Sequence, residues 1–147
     1  MAESIRQILN DKGSNVWSIP PEATVYDAIA MMMEKAVGAL LVMKAGVLAG
    51  IISERDYARK VILQERSSRE TSVTEIMTRN VVTVSPEYSV EECMRIMTEC
   101  RIRHLPVLEE GRVLGIVSIG DLVKAIITAQ ADTIVHLHTY IGGTYPS

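Results

Sequence analysis

The stretches "GIISERDYARK" (residues 50–60) and "GIVSIGDLVKA" (residues 115–125) share one order: glycine, two aliphatics, serine, two variable residues, aspartate. Sixty-five residues separate the two glycines, the two serines and the two aspartates alike, and the correspondence runs without a gap from 18–62 onto 83–127. About thirteen of roughly 45 aligned positions are identical, among them Pro21/Pro86, Glu22/Glu87, Val25/Val90, Leu40/Leu105, Val42/Val107 and Gly46/Gly111. This is a tandem duplication. The spacing exceeds that of common solenoid repeats and two copies are too few for an array, so each copy reads as half of a pseudo-symmetric domain.

Each copy predicts the same elements. An extended start ("WSIPP", "VVTVSP") leads to a capping signal, Thr24 with Asp27 and Ser89 with Glu92, which opens a helix carrying apolar residues at helical spacing such as Val90, Cys93, Met94 and Met97. Two β-rich runs follow ("GALLVM" then "VLAGIIS", "HLPVLE" then "VLGIVS"), joined at Ala45-Gly46 and Glu110-Gly111-Arg112 as hairpins. The runs are nearly all apolar, which predicts sheets covered on both faces. A last helix starts just after Ser53 or Ser118. The expected class is α/β (α+β), with two β-α-β-β-α motifs. Their bounds are an N-terminal extension over 1–13, motif 1 over 14–66, a linker over 67–74, motif 2 over 75–130 and a tail over 131–147. The charged stretch "QERSSRETS" is expected to be a solvent-exposed connection.

Composition narrows the function. With 147 residues, 48% of them apolar, the chain can close a real core. A net charge of -3 argues against the nucleic-acid backbone as main partner. No apolar run approaches the roughly 20 residues of a membrane helix. The opening "MAESIRQILNDKG" carries acids and no long apolar stretch, so a cytoplasmic chain without membrane contact is expected. Cys93 and Cys100 lie seven apart on one predicted helix, about 10 Å along its axis, too far to pair there, and are expected to be reduced.

The repeated Ser-x-x-Asp has two uses. Serine at the N-cap and an acid at the third helical position form a capping box. Glutamate is the usual acid there; a shorter aspartate in both copies, beside a glycine that admits close approach, favours a second use. A helix N-terminus suits a phosphate, and a carboxylate beside it can accept both hydroxyls of a ribose. The pairing describes a nucleotide.

The duplication, the two glycine-to-aspartate segments, "RHLPVLEEGRVLGIVS" and "VVTVSPEYSV" resemble a tandem pair of CBS domains, a Bateman module, over about residues 14 to 130. That resemblance implies halves packed sheet to sheet, two clefts for adenosine-containing ligands, a homodimer, and a stand-alone member with no attached enzyme or channel. Carried over by position, it implies that Asp121 holds the ribose hydroxyls, Ser118 faces phosphate or ribose, Thr83 adds a hydroxyl, and the backbone of His104, Leu105 and Pro106 meets the adenine edge. Asp56, Ser53 and Ser18 match in the first copy, with Gly38, Ala39 and Leu40 along the strand. Arg101, Arg103 and His104 stand where the first copy has Ala36, Gly38 and Ala39, while Arg55 and Arg59 flank Asp56; as clusters they suit a phosphate clamp, and singly a solvated face. Leu41 in place of Pro106, and Glu54 beside Ser53, weaken the transfer to the first cleft.

AMP fits one ribose carboxylate with a small basic cluster; ATP, ADP, NAD(H) and S-adenosylmethionine stay open, and no metal is required. An adenine-nucleotide sensor read by another, unidentified protein is thus the expected function, and not an enzyme. The alternative is an assembly protein whose clefts carry no ligand and which dimerises through the helices bearing Met31, Met32 and Met33. Tyr57 either stacks on a base or packs. Cys100 and His104, four apart, lack an oxyanion site and an orienting group for catalysis, and His136-x-His138 lacks a third ligand at metal spacing.

Overall fold

A computed structural model describes residues 4–13 and 15–142, with side chains through residue 131. The elements are α1 (Ile5–Lys12), β1 (Ser18–Ile19), α2 (Val25–Lys35), β2 (Ala39–Lys44), β3 (Val47–Ser53), α3 (Glu54–Tyr57), a π turn (Ala58–Ile62), α4 (Val73–Ile76), α5 (Val90–Cys100), β4 (His104–Glu109), β5 (Arg112–Ser118) and α6 (Ile119–Gly142). They form a mixed α+β fold with a three-stranded sheet, β1-β2-β3, and a two-stranded sheet, β4-β5. The chain divides into two compact units. One comprises Asn15–Thr83 with Glu110–Leu114; the other comprises α1, Val84–Glu109 and the chain from Gly115 onward.

In the first unit β1 runs parallel to β2 and β2 antiparallel to β3, with an extra residue, Ala49, bulging opposite the Val42/Met43 step. The two-residue hairpin turn has positive φ at both Ala45 (52°) and Gly46 (78°), and Glu110 (52°) with Gly111 (78°) repeats it in the second hairpin. That is the turn whose twist matches the strands it joins. Residues Ala39 to Val42 are all buried, as the continuous apolar run predicts, and Leu40 and Val42 pack with Val25, Ala28, Met32, Ile52, Val61 and Ile76. The connection from 64 to 72 is more than exposed chain. Its Thr71 and Ser68 carbonyls accept the first amides of α2, Val25 and Tyr26, at 2.9 Å each, donors that a helix cannot satisfy internally.

The second half departs from the first in two places. Its extended start is a single bridge, Val84 to Val107, rather than a strand. In the first half the Leu41 amide donates to the Trp17 carbonyl, but the matching residue is Pro106, which has no N–H to extend the pairing. The last helices also differ. The predicted helix over 55–64 is one α turn followed by a π turn, whereas α6 continues to Gly142, twelve residues beyond the expected helix "DLVKAIITAQ". His136 and His138 lie outside the residues whose side chains are described, and the tail beyond 142 outside the described residues altogether.

A short leading helix serves each half, and the unbroken spacing of 65 hides it. Ser4-Ile5-x-Gln7-Ile8-Leu9 matches Ser72-Val73-x-Glu75-Ile76-Met77 at a spacing of 68, because the segment down to Ser18 is three residues longer than that down to Thr83. The contacts correspond. Ile5 and Arg6 amides donate to the Tyr88 and Pro86 carbonyls, as Val73 and Thr74 donate to Ala23 and Pro21. Arg6 ties α1 down further by bonding Glu87 and Glu109.

The conserved spacing of Gly50 and Gly115 is explained by these helices. A Cβ on Gly50 would lie 2.7 Å from the Thr78 carbonyl and 2.8 Å from the Met77 sulfur; on Gly115 it would lie 2.7 Å from Leu9 Cδ2. The close approach expected for a ligand is therefore made by the leading segment. Backbone cannot yield, whereas the end of a leucine can. Gly50→Ala is expected to cost about 2–3 kcal/mol and Gly115→Ala about 1 kcal/mol or less, read as midpoints in urea unfolding; equal costs would refute the packing account. Ala36 ends α2 in the left-handed region at φ 55°, exposed, so Ala36→Gly is expected to stabilise by about 1 kcal/mol, raising Tm by a few degrees.

Candidate functional site

In each half, a strand runs directly into a helix and the junction carries the Ser-x-x-Asp. Ser53 Oγ accepts the Asp56 amide at 3.2 Å, and Asp56 Oδ2 accepts the Ser53 amide and hydroxyl, each at 3.0 Å. Ser118 Oγ likewise accepts the Asp121 amide at 3.2 Å, and Asp121 Oδ2 accepts the Ser118 amide at 2.8 Å. Both pairs are capping boxes, so the structural use of the motif is realised twice. The first helical amide is satisfied too: Glu54 donates to the Gly38 carbonyl at 3.1 Å, and Ile119 to the Arg103 carbonyl at 2.9 Å. Helix-end donors that could meet a phosphate are thereby reduced in number.

Both aspartates also hold a lysine that the repeat does not align. Lys60 Nζ lies 3.3 Å from Asp56 Oδ1 and donates to the Ile76 carbonyl at 2.9 Å. Lys12, from α1, donates to Asp121 Oδ2 at 2.7 Å and to the Ile116 carbonyl at 2.9 Å. In each half an ammonium bridges the capping carboxylate and a backbone carbonyl, recruited from a different element. Burial works to raise the Asp121 carboxyl, but the Lys12 ammonium and the Ser118 hydrogen bonds outweigh it and hold the group below the usual carboxylate range. Its folded value is the lower one, so the stability it contributes is present above the ordinary carboxylate range and is lost as pH falls through that lowered value.

The other expected residues gather unevenly. His104, half-buried at the start of β4, is held below the usual imidazole range by burial, with Lys12 and Arg103 acting the same way and Asp121 opposing them. His104, Lys12, Ser118 and Asp121 thus form one electrostatic cluster. Leu105 and Pro106 are buried, so only their backbone is available to a ligand. Arg103 is exposed and contributes its carbonyl to the helix start; Arg101 is the left-handed residue that ends α5, at φ 56°. Thr83 is exposed and immediately precedes the Val84 bridge, and belongs to the other compact unit. In the first half, Ala39 pairs with Ser53 and is buried, Ser18 is exposed on β1 opposite Leu41, Gly38 gives its carbonyl to Glu54, and Arg55 and Arg59 are exposed beside Asp56. Tyr57 packs against the core cluster of this half.

Cys93 is buried and its thiol is pushed up to about 11 by burial and by Glu92, which leaves it inert, whereas Cys100 is exposed; both are free. Among the described residues no group of His, Cys, Asp and Glu could hold a metal ion, and no helix is long and apolar enough to cross a membrane.

The family model for the CBS domain matches twice, over residues 5–63 and 73–128, and so includes both leading helices. The mitochondrial CBS domain-containing protein CBSX3 of Arabidopsis thaliana is 46% identical over 138 residues, covering 90% of this chain, while the match spans 66% of that protein's length. A protein with CBS domains from Burkholderia ambifaria, described as acting in signal transduction, superimposes with a TM-score of 0.84 at 53% identity, over 87% of this chain and 96% of that one. The CBS domain pair of MJ0100, solved in complex with 5′-methylthioadenosine and S-adenosyl-L-methionine, shares the fold, with a TM-score of 0.78 at 24% identity, over 88% of this chain and 99% of the other. With the duplication, twin hairpins and twin strand-to-helix junctions matched by this family, the chain belongs to the CBS-domain family and carries a tandem pair of its domains.

Proposed function

We propose that this CBS pair is a regulatory module that binds an adenosine-containing ligand, AMP before ATP, ADP, NAD(H) or S-adenosylmethionine, at the Ser–Asp junction of each half. The observation that carries this reading is the twin junction itself: a part-buried carboxylate at a helix start, with strand backbone beside it and cations at hand. A ribose diol needs such an acceptor, and a monophosphate needs the cations of Arg101, Arg103, Arg55 and Arg59. The complex of MJ0100 with two adenosine compounds supports the same ligand class. The ligand acts by binding two arrangements unequally, and the rearrangement is read by a further protein. The cytoplasm remains our proposed location, although the Arabidopsis relative is named as mitochondrial.

A second reading, assembly without ligand, draws on the full use of both motifs as caps and on exposed Met33, Ile62, Leu63 and Ile127, which also suit the proposed homodimer.

A thermal-shift screen of the adenosine compounds on wild type, Asp121→Ala and Asp56→Ala separates the two. A ligand at about 100 times its Kd adds roughly 2.7 kcal/mol and raises Tm by several degrees. Loss of the shift in one aspartate variant identifies the half that binds. No shift with any compound, together with an unchanged oligomeric state in both variants, supports assembly instead.

A further inference from the structure

The two capping aspartates hold their lysines in ways that differ in consequence. Lys60 belongs to the same half as Asp56 by sequence, four residues along, and its 3.3 Å contact is made to the oxygen that the cap does not use. Lys12 comes from the leading helix, over a hundred residues away in sequence, and its 2.7 Å bond is to Asp121 Oδ2, the oxygen that also closes the cap. The Lys12 and Asp121 side chains are 35% and 23% exposed, and those of Lys60 and Asp56 45% and 16%. A carboxylate oxygen has about two acceptor sites, and Oδ2 of Asp121 already receives two hydrogen bonds from N–H donors.

We propose that Lys12 is a specificity-setting residue of the second half: its ammonium and a ribose diol contend for the Asp121 carboxylate, so nucleotide enters there only as the last turn of α1 lets go. This rests on the nucleotide reading given above. A diol that uses both carboxylate oxygens must take the place of the Lys12 hydrogen bond, and the Ile116 carbonyl loses the same donor. Release is confined to one end of the helix. Arg6 clamps the beginning of α1 to Glu87 and Glu109, and the Ile5 and Arg6 amides stay on Tyr88 and Pro86, while Gly13, at φ 86°, follows Lys12 as a joint that other residues would resist. In the first half Lys60 is also bonded to a leading helix, at the Ile76 carbonyl, but its contact with Asp56 is the longer one, 3.3 Å against 2.7 Å, and a diol displaces it at lower cost. The two halves therefore differ in affinity for one ligand, and the weaker one reports its occupancy through α1.

The test is titration calorimetry with AMP, and in parallel with S-adenosylmethionine, in an Asp56→Ala background so that only the second half is read. Lys12→Met removes a charge-assisted bond and is expected to tighten binding about tenfold. Hydrogen exchange, followed in the same background, is expected to speed at the last turn of α1 on ligand addition, and to be fast in Lys12→Met before any ligand is added. Lys12→Gln, which keeps a donor without the charge, is expected to fall between the two and guards against loss of fold. Binding that is unchanged or weaker in Lys12→Met, while the parent binds, overturns this proposal alone. Binding in neither protein overturns the nucleotide reading for this half, and the proposal with it.

Discussion

Where a strand passes into a helix with no loop between them, the first helical amides have no acceptor inside the helix. This chain meets that requirement twice with the same three groups: a serine hydroxyl, an aspartate carboxylate, and the carbonyl at position 38 or 103. The junction fixes where each last helix points, and hence which hydrophobic residues reach the core. It also sets a part-buried aspartate at the start of each last helix. The carboxylate proposed to meet a ligand is the one that caps the helix, so cap and proposed site cannot be separated by residue type alone.

Much of this was legible in the amino-acid order. The unbroken spacing of 65 exposed the duplication; alternation of apolar runs with Ala-Gly and Glu-Gly turns exposed the hairpins; Ser89 with Glu92 exposed the start of α5. Each is a local signal in which residue type and backbone geometry have one physical reason to agree. The capping residues Asp56, Ser53, Asp121 and Ser118 were legible for the same reason.

What escaped was non-local. The leading helices were hidden because three extra residues shift their spacing, and a short amphipathic turn has little pattern of its own. Lys12 and Lys60 were missed because they converge on equivalent carboxylates from non-equivalent positions, which no internal alignment can show. Gly50 and Gly115 were noticed as sites of close approach, but the approaching group was misassigned, since sequence reveals the need for space and not its occupant. The loss of a first strand in the second half followed from Pro106, a residue seen in sequence whose effect depends on the partner its missing N–H would have reached.

The unequal last helices give the two halves different mechanical reach. In the first, the helix is broken by a π turn at residues 58–62 and ends soon after it; in the second, α6 runs uninterrupted for 24 residues, about 36 Å of stiff rod. A rod anchored at Ser118 magnifies small rotations at its base. A tilt of about 5° there carries the far end roughly 3 Å. An adjustment at Asp121 too small to alter the fold around it thus becomes, at Gly142, a displacement on the scale of a side chain.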